Sequence, residues 1–132
     1  MKNILKNRIL CFFVCFVIVL FVVSSFSVAQ KKSEEELKKE YAPILGEYEF
    51  VTGGQTDIIR FYIEDGSLWA DSGDGRPATL KAVEDEVFSF TAEDPINGMF
   101  EIKFLKDDQG KYITCHIVNA AMGLEIEGIR IK

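Results

Sequence analysis

From Gly46 to the C-terminus, apolar residues return at every second position, the period at which side chains alternate between the two faces of a β-strand. Tyr48 and Phe50 alternate with Glu47 and Glu49, and Ile59, Phe61 and Ile63 alternate with Arg60, Tyr62 and Glu64. Leu68, Trp69 and Ala70 follow, then a weaker strand around Ala78 to Val83. Val87 to Thr91 carries Phe88 and Phe90 on one face, Phe100, Ile102 and Phe104 make another inward row, and Tyr112 to Val118 returns. Gly53-Gly54, Asp65-Gly66, Asp71 to Gly75, Asp94 to Gly98 and Asp107 to Gly110 separate these runs with the residues that turns favour. Asp65-Gly66 between two alternating runs is the strongest hairpin signal in the chain. A two-residue loop there sets Glu64 opposite Ser67, Ile63 opposite Leu68, Tyr62 opposite Trp69 and Arg60 opposite Asp71. In the last run Leu124 and Ile126 give way to Ile129 and Ile131, so the apolar phase slips at Gly128. A β-bulge at that glycine is expected to restore it.

About eight strands joined by short polar turns, with no helix between them, predict an all-β fold: an antiparallel meander closed into a lipocalin-like barrel or folded as a sandwich. Closure is the favoured form because it removes unpaired strand edges. At about eight strands the interior is either filled by side chains or admits one small ligand, and the Phe-rich inward set predicts a filled or narrowly open one.

Ahead of the strands, Ser33-Glu34-Glu35-Glu36 has the form of a capping box and predicts a short helix from Glu34 to about Tyr41. Glu34 with Lys38 and Glu35 with Lys39 stand four residues apart on its solvated side. Leu37 and Tyr41 lie on the other side, free to dock, and Pro43 ends the helix. Further upstream, Lys2, Lys6 and Arg8 precede an unbroken apolar run from Ile9 to Val23, and Ser27-Val28-Ala29 offers the small residues that a signal peptidase reads. The chain therefore divides into a signal peptide (1–29), a linker with the short helix (30–43) and a barrel domain (44–132), with cleavage between Ala29 and Gln30. The expected location is periplasmic or secreted. The alternative is an uncleaved inner-membrane anchor, since the uncharged stretch approaches the ~20 residues that span a bilayer. No cysteine lies near the cut, which argues against a lipid anchor.

Charge narrows the partners. Lys2, Lys6 and Arg8 precede the apolar run and every acid follows it, so the rest carries 12 basic against 21 acidic residues, a net charge of −9. That balance repels phosphate backbones and anionic lipid, so no nucleic acid is expected, and membrane contact is expected only through an uncleaved targeting segment. Cys11 and Cys15 leave with the signal, so Cys115 stands alone, expected on a buried face with Ile113 and Ile117.

The outer face of the Asp65-Gly66 hairpin brings together Tyr62 and Trp69, flanked by an Arg60–Asp71 ion pair. This set is either cross-strand stabilisation or a stacking surface for a sugar, peptide or partner protein. His116, the only histidine, shares a face with Tyr112 and Thr114, opposite Cys115, so the two cannot form a thiol dyad. It joins Arg60, Tyr62 and Trp69 as a candidate binding residue. Asp71-Ser72-Gly73-Asp74-Gly75 resembles part of a calcium loop but lacks its full length and closing Glu, and turn chemistry accounts for it without an ion. The acid runs Glu84 to Glu86 and Asp107-Asp108 read as solvated turns. No Ser-x-x-Lys, Gly-x-Ser-x-Gly, His-Glu-x-x-His or phosphate-loop motif occurs, so no catalytic residue, metal or cofactor is assigned.

Leu45-Gly46-Glu47-Tyr48-Glu49-Phe50, Glu64-Asp65-Gly66-Ser67-Leu68, Leu80 with Val87-Phe88, Phe104-Leu105 with Asp108 to Lys111, and a closing Arg130 resemble the C-terminal β-barrel domain of bacterial serine β-lactamase-like hydrolases and peptidases. The resemblance covers nearly all of Tyr41 to Lys132 and rests on turn and core positions. It implies an appendage whose relatives keep the Ser-x-x-Lys nucleophile in a separate domain, so no catalytic residue carries over. Gly46-Glu47-Tyr48 is also similar to the Gly-x-Trp opening of lipocalins, with Tyr in place of Trp. The function expected is a non-enzymatic binding module for a small molecule, peptide or envelope protein, acting through the Tyr62/Trp69 face or a barrel mouth. The alternative is a trans-acting accessory of a separate serine hydrolase.

Overall fold

A computed structural model describes residues 31–132. The expected cleavage between Ala29 and Gln30, and Cys11 and Cys15, lie outside the described residues. Helix α1 (Glu34–Tyr41) starts as its sequence dictates: Ser33 Oγ accepts from the Glu36 amide at 3.3 Å, and the Glu36 carboxylate accepts from the Ser33 amide at 3.2 Å. Lys38 pairs with Glu34 at 2.8 Å, and Lys32 reaches Glu40. Leu37 and Tyr41 pack against the core. Among the described residues no helix is long and apolar enough to cross a membrane.

Eight strands follow: β1 (Gly46–Thr52), β2 (Gln55–Glu64), β3 (Ser67–Asp71), β4 (Ala78–Ala82), β5 (Ser89–Asp94), β6 (Gly98–Lys106), β7 (Tyr112–Asn119) and β8 (Leu124–Arg130). Each pairs antiparallel with the next, and β8 returns to β1, closing a barrel. The β2–β3 hairpin has the predicted register from Glu64↔Ser67 to Arg60↔Asp71. Its two-residue loop works because both central residues are left-handed, Asp65 at φ 50° and Gly66 at φ 70°, matching the twist of the flanking strands.

Two phase expectations are corrected. No bulge occurs at Gly128: β8 pairs with β7 in unbroken register from Asn119↔Leu124 to Thr114↔Ile129. Gly128 itself faces inward, and a Cβ there would stand 2.5 Å from the ring of Phe50, which fills the place. Ile129 and Ile131 consequently face outward, 53% and 44% exposed. The irregularity lies instead in β7, where Leu105 pairs with Thr114 and Lys106 with Tyr112, leaving Ile113 as the extra residue. Ile113 therefore does not share the buried face of Cys115 and Ile117, and Tyr112 packs on the core instead of joining Thr114 and His116. β5 is also shorter than expected, because Phe88 adopts φ 49° and belongs to the turn before it.

The interior is filled at the end where β1 begins. Tyr48, Phe61, Phe104 and Phe90 meet edge to face, with Phe61 and Phe104 centroids 4.9 Å apart. Tyr41 extends the cluster from α1, lying 5.6 Å from Phe90 and 6.2 Å from Phe88. Such pairs add ~0.5–1.5 kcal/mol each beyond the area they bury. The fully buried Tyr48 hydroxyl donates to the Ile44 carbonyl at 2.9 Å. At the seam, Glu47 exchanges backbone bonds with Ile131 and Lys132, and the Arg130 guanidinium donates to the carbonyls of Pro43, Leu45 and Lys132.

Gly128→Ala is expected to destabilise the barrel by about 1–3 kcal/mol in urea unfolding, since its methyl overpacks against Phe50. Combining it with Phe50→Leu should cost less than the sum of the two single changes, because the smaller side chain vacates the contact. Tyr48 gives a second test. Burial pushes its phenol up to about 12. The folded state thus favours the protonated form, so this contribution is intact below the unfolded value of about 10 and is lost as pH rises toward the folded one. Urea midpoints should fall across that window in the wild type, and by less in Tyr48→Phe.

Candidate functional site

Arg60, Tyr62 and Trp69 do share the outer face of the β2–β3 hairpin, but their contacts differ from expectation. No Arg60–Asp71 ion pair forms. Asp71 Oδ1 instead accepts from the Gly73 amide at 2.8 Å, and the Arg60 guanidinium lies over the Tyr62 ring, 4.5 Å from its centroid. Trp69 Nε1 donates to the Glu64 carbonyl at 3.0 Å, which ties the indole to the hairpin's own turn. The polar edges of this face are therefore used within the hairpin.

His116 stands apart from that group on the outer face of β7, where Nε2 meets Glu125 Oε1 at 3.0 Å. Cys115 is wholly buried, and burial pushes its thiol well above the usual range. The two side chains leave the strand on opposite faces, as the alternation required. In the Asp71–Gly75 loop, Asp74 Oδ1 accepts from the Arg76 amide at 2.9 Å and its carboxylate pairs with the Arg76 guanidinium at 3.5 Å. The Arg76 amide hydrogen bond holds the Asp74 carboxyl below its ordinary value. Among the described residues no three His, Cys, Asp or Glu side chains stand together as a metal site.

The larger surprise lies inside. Away from α1, the inward positions of β3, β4 and β5 are Ala70, Ala78 and Ala92, and these small residues leave a cup of about 220 Å³ open at the barrel's far end. Ile59, Phe61, Phe100, Ile117, Leu124 and Ile126 supply apolar walls. The rim is polar: Ser72, Asp74 and Arg76 from the β3–β4 loop, and Asp94 and Asn97 from the β5–β6 turn. Asp94 Oδ1 accepts from the amides of Asn97 and Ile96, which keeps its carboxyl below the ordinary value. Asn119, fully buried, braces the rim by donating to the Asn97 carbonyl at 2.9 Å and accepting from the Met122 amide at 3.2 Å. The walls thus have the composition of a ligand pocket, apolar with a few placed polar groups.

The chain matches no protein-family model, no curated protein and no solved structure. Its geometry alone carries the functional reading.

No motif in the sequence marks any residue of this mouth as a binding residue. The available signal was the run of alanines at inward positions on three successive strands. Nothing in the sequence marked Ser89, which is buried on the outer side of β5 beside Lys103.

Native protein should leave Cys115 unlabelled by a thiol-specific maleimide, with labelling appearing only across the urea unfolding transition. Rapid modification in the absence of denaturant would show that β7 opens locally, contrary to its burial.

Proposed function

We propose that this chain is an exported, non-catalytic binding barrel that holds one small, largely apolar molecule in its open end. The observation that carries the reading is the cup of about 220 Å³, whose apolar walls end in a braced polar rim. A closed barrel of about eight strands has room for one small ligand once its inward side chains are trimmed, and Ala70, Ala78 and Ala92 do the trimming. The opposite end is filled by Leu37, Tyr41 and Ile44 against the aromatic cluster, so the cup opens at its rim. Export is supported by the basic, apolar and small-residue segments of the first 29 residues, and the net charge of −9 beyond them disfavours nucleic acid.

The mouth is favoured over the Tyr62/Trp69 face because that face turns its guanidinium and indole donors onto its own hairpin. Titration calorimetry with 1-octanol and 2-naphthol tests the choice. Saturable uptake is expected, weakened by at least about tenfold in Ala70→Phe, which fills the cup, and unchanged in Tyr62→Ala. Loss of uptake in Tyr62→Ala with retention in Ala70→Phe would place the ligand on the hairpin and overturn the mouth reading.

A further inference from the structure

On the outer side of the barrel, across β5, β6 and β7, the segment between β4 and β5 overhangs a groove of about 460 Å³. Its polar walls are Glu86, Ser89, Thr91, Glu101, Lys103 and His116. Ser89 is 5% exposed, and its Oγ is the one buried side-chain polar atom without a hydrogen-bond partner among the described residues. A hydroxyl buried without a partner is unfavourable, and alanine would fit the same backbone without that cost. Ser89 is held against the groove by its strand: Phe90, the next residue, turns into the core, and the Ser89 carbonyl accepts from the Val83 amide at 2.9 Å. Asp85 at φ 62° and Phe88 at φ 49° bend the overhang back over this position without the help of glycine.

Strand register fixes what faces the hydroxyl. Ser89 pairs with Lys103, and Lys103 pairs with His116, so the three side chains form one row across neighbouring strands, about 5 Å from one to the next. His116 is engaged with Glu125 and forms the far wall. Lys103, Glu86 and Glu101 make no ion pair within 4 Å among the described residues, so the groove presents one unpaired cation and two unpaired carboxylates.

We propose that this groove binds a small molecule carrying both a carboxylate and an ammonium group, a free amino acid or a short peptide. The Lys103 ammonium donates to the carboxylate and Glu86 and Glu101 accept from the ammonium, while the Ser89 hydroxyl, whose oxygen is covered in the unliganded chain, donates to the carboxylate as the overhang yields to the ligand. A simple anion would meet two like charges, and a simple cation would leave Lys103 opposed. A sugar would need a broad aromatic platform, but of the two aromatic rings of the walls Phe90 lies in the core against Tyr41 and Phe104, and the His116 imidazole is engaged with Glu125. This site is outside the barrel and does not depend on the cup.

The test is a ¹⁵N–¹H NMR titration of the full chain with L-alanine, trialanine, acetate, methylammonium and glucose. Saturable shifts of the Ser89, Lys103 and His116 amides are expected with L-alanine or trialanine, the tighter of the two identifying a free amino acid or a peptide. Lys103→Met, Glu101→Gln and Ser89→Ala should each weaken that binding by about tenfold, with otherwise wild-type spectra as the check of folding. The proposal is overturned if neither amino-carboxylate saturates these resonances, if acetate, methylammonium or glucose binds equally well, or if Ser89→Ala binds as the wild type does.

Discussion

Closure of the sheet between β1 and β8 is the constraint on which everything else rests. The seam is short, with three register pairs from Tyr48↔Arg130 to Phe50↔Gly128, extended by the bonds of Glu47 to Ile131 and Lys132. Without it the meander has two open edges and no inside. The contacts that hold it are steric as much as polar. Phe50 can lie fully buried across the seam only because Gly128 presents no Cβ beneath its ring. Gly46, at φ 138°, admits the Lys132 carbonyl where a Cβ would stand 2.0 Å away. Arg130 then binds the last strand to the carbonyls of the Pro43–Leu45 entrance, so the ends of the barrel chain are fastened to one another.

Once the barrel is closed, its two ends diverge because the inward side chains differ in size. Near α1 the aromatic rings of Tyr41, Tyr48, Phe61, Phe90 and Phe104 occupy the lumen and exclude water. Toward the far end, Ala70, Ala78 and Ala92 take over from Leu68, Leu80 and Phe90 as the inward residues of β3, β4 and β5, and the lumen opens. The filled half supplies the stability, through buried aromatic area and edge-to-face contacts. The trimmed half gives up packing, and the loss is tolerated because the rim is held independently by Asn119 and the Asp94 turn. Stability and binding capacity are thereby separated along the axis of one small fold.

What could be read from the sequence follows the range of the interaction involved. The α1 cap, the Asp65-Gly66 hairpin and its register through Arg60↔Asp71 are local, set by residues a few positions apart, and all were legible. The phase of β8 was not, because the reason Gly128 faces inward is Phe50, nearly eighty residues earlier and adjacent only after closure. The irregularity at Ile113 was hidden for the same reason: alternation in Tyr112 to Val118 is regular on paper, and only pairing with β6 displaces it. Of the candidate site residues, Tyr62, Trp69 and Arg60 were correctly grouped because one hairpin holds them. The Arg60–Asp71 ion pair failed because a nearer amide, that of Gly73, takes the carboxylate.

That last displacement is general in this protein. Asp71, Asp74, Asp94 and Asp107 each accept from backbone amides one turn ahead, at 2.7–3.1 Å for the Asp94 and Asp107 turns taken with their closing bonds. At these four positions the carboxylate is thus engaged by the chain reversal it sits in. Acids on strand faces remain available, because no amide is free to bind them once the sheet has claimed it, and Glu86 joins them from the segment between β4 and β5. Glu101 is such a residue, and so is its outward neighbour along β6, Lys103, of opposite sign. Beside Ser89, the charge open to an outside partner therefore comes from the strand walls and from Glu86 above them, and not from the four aspartates that hold the turns.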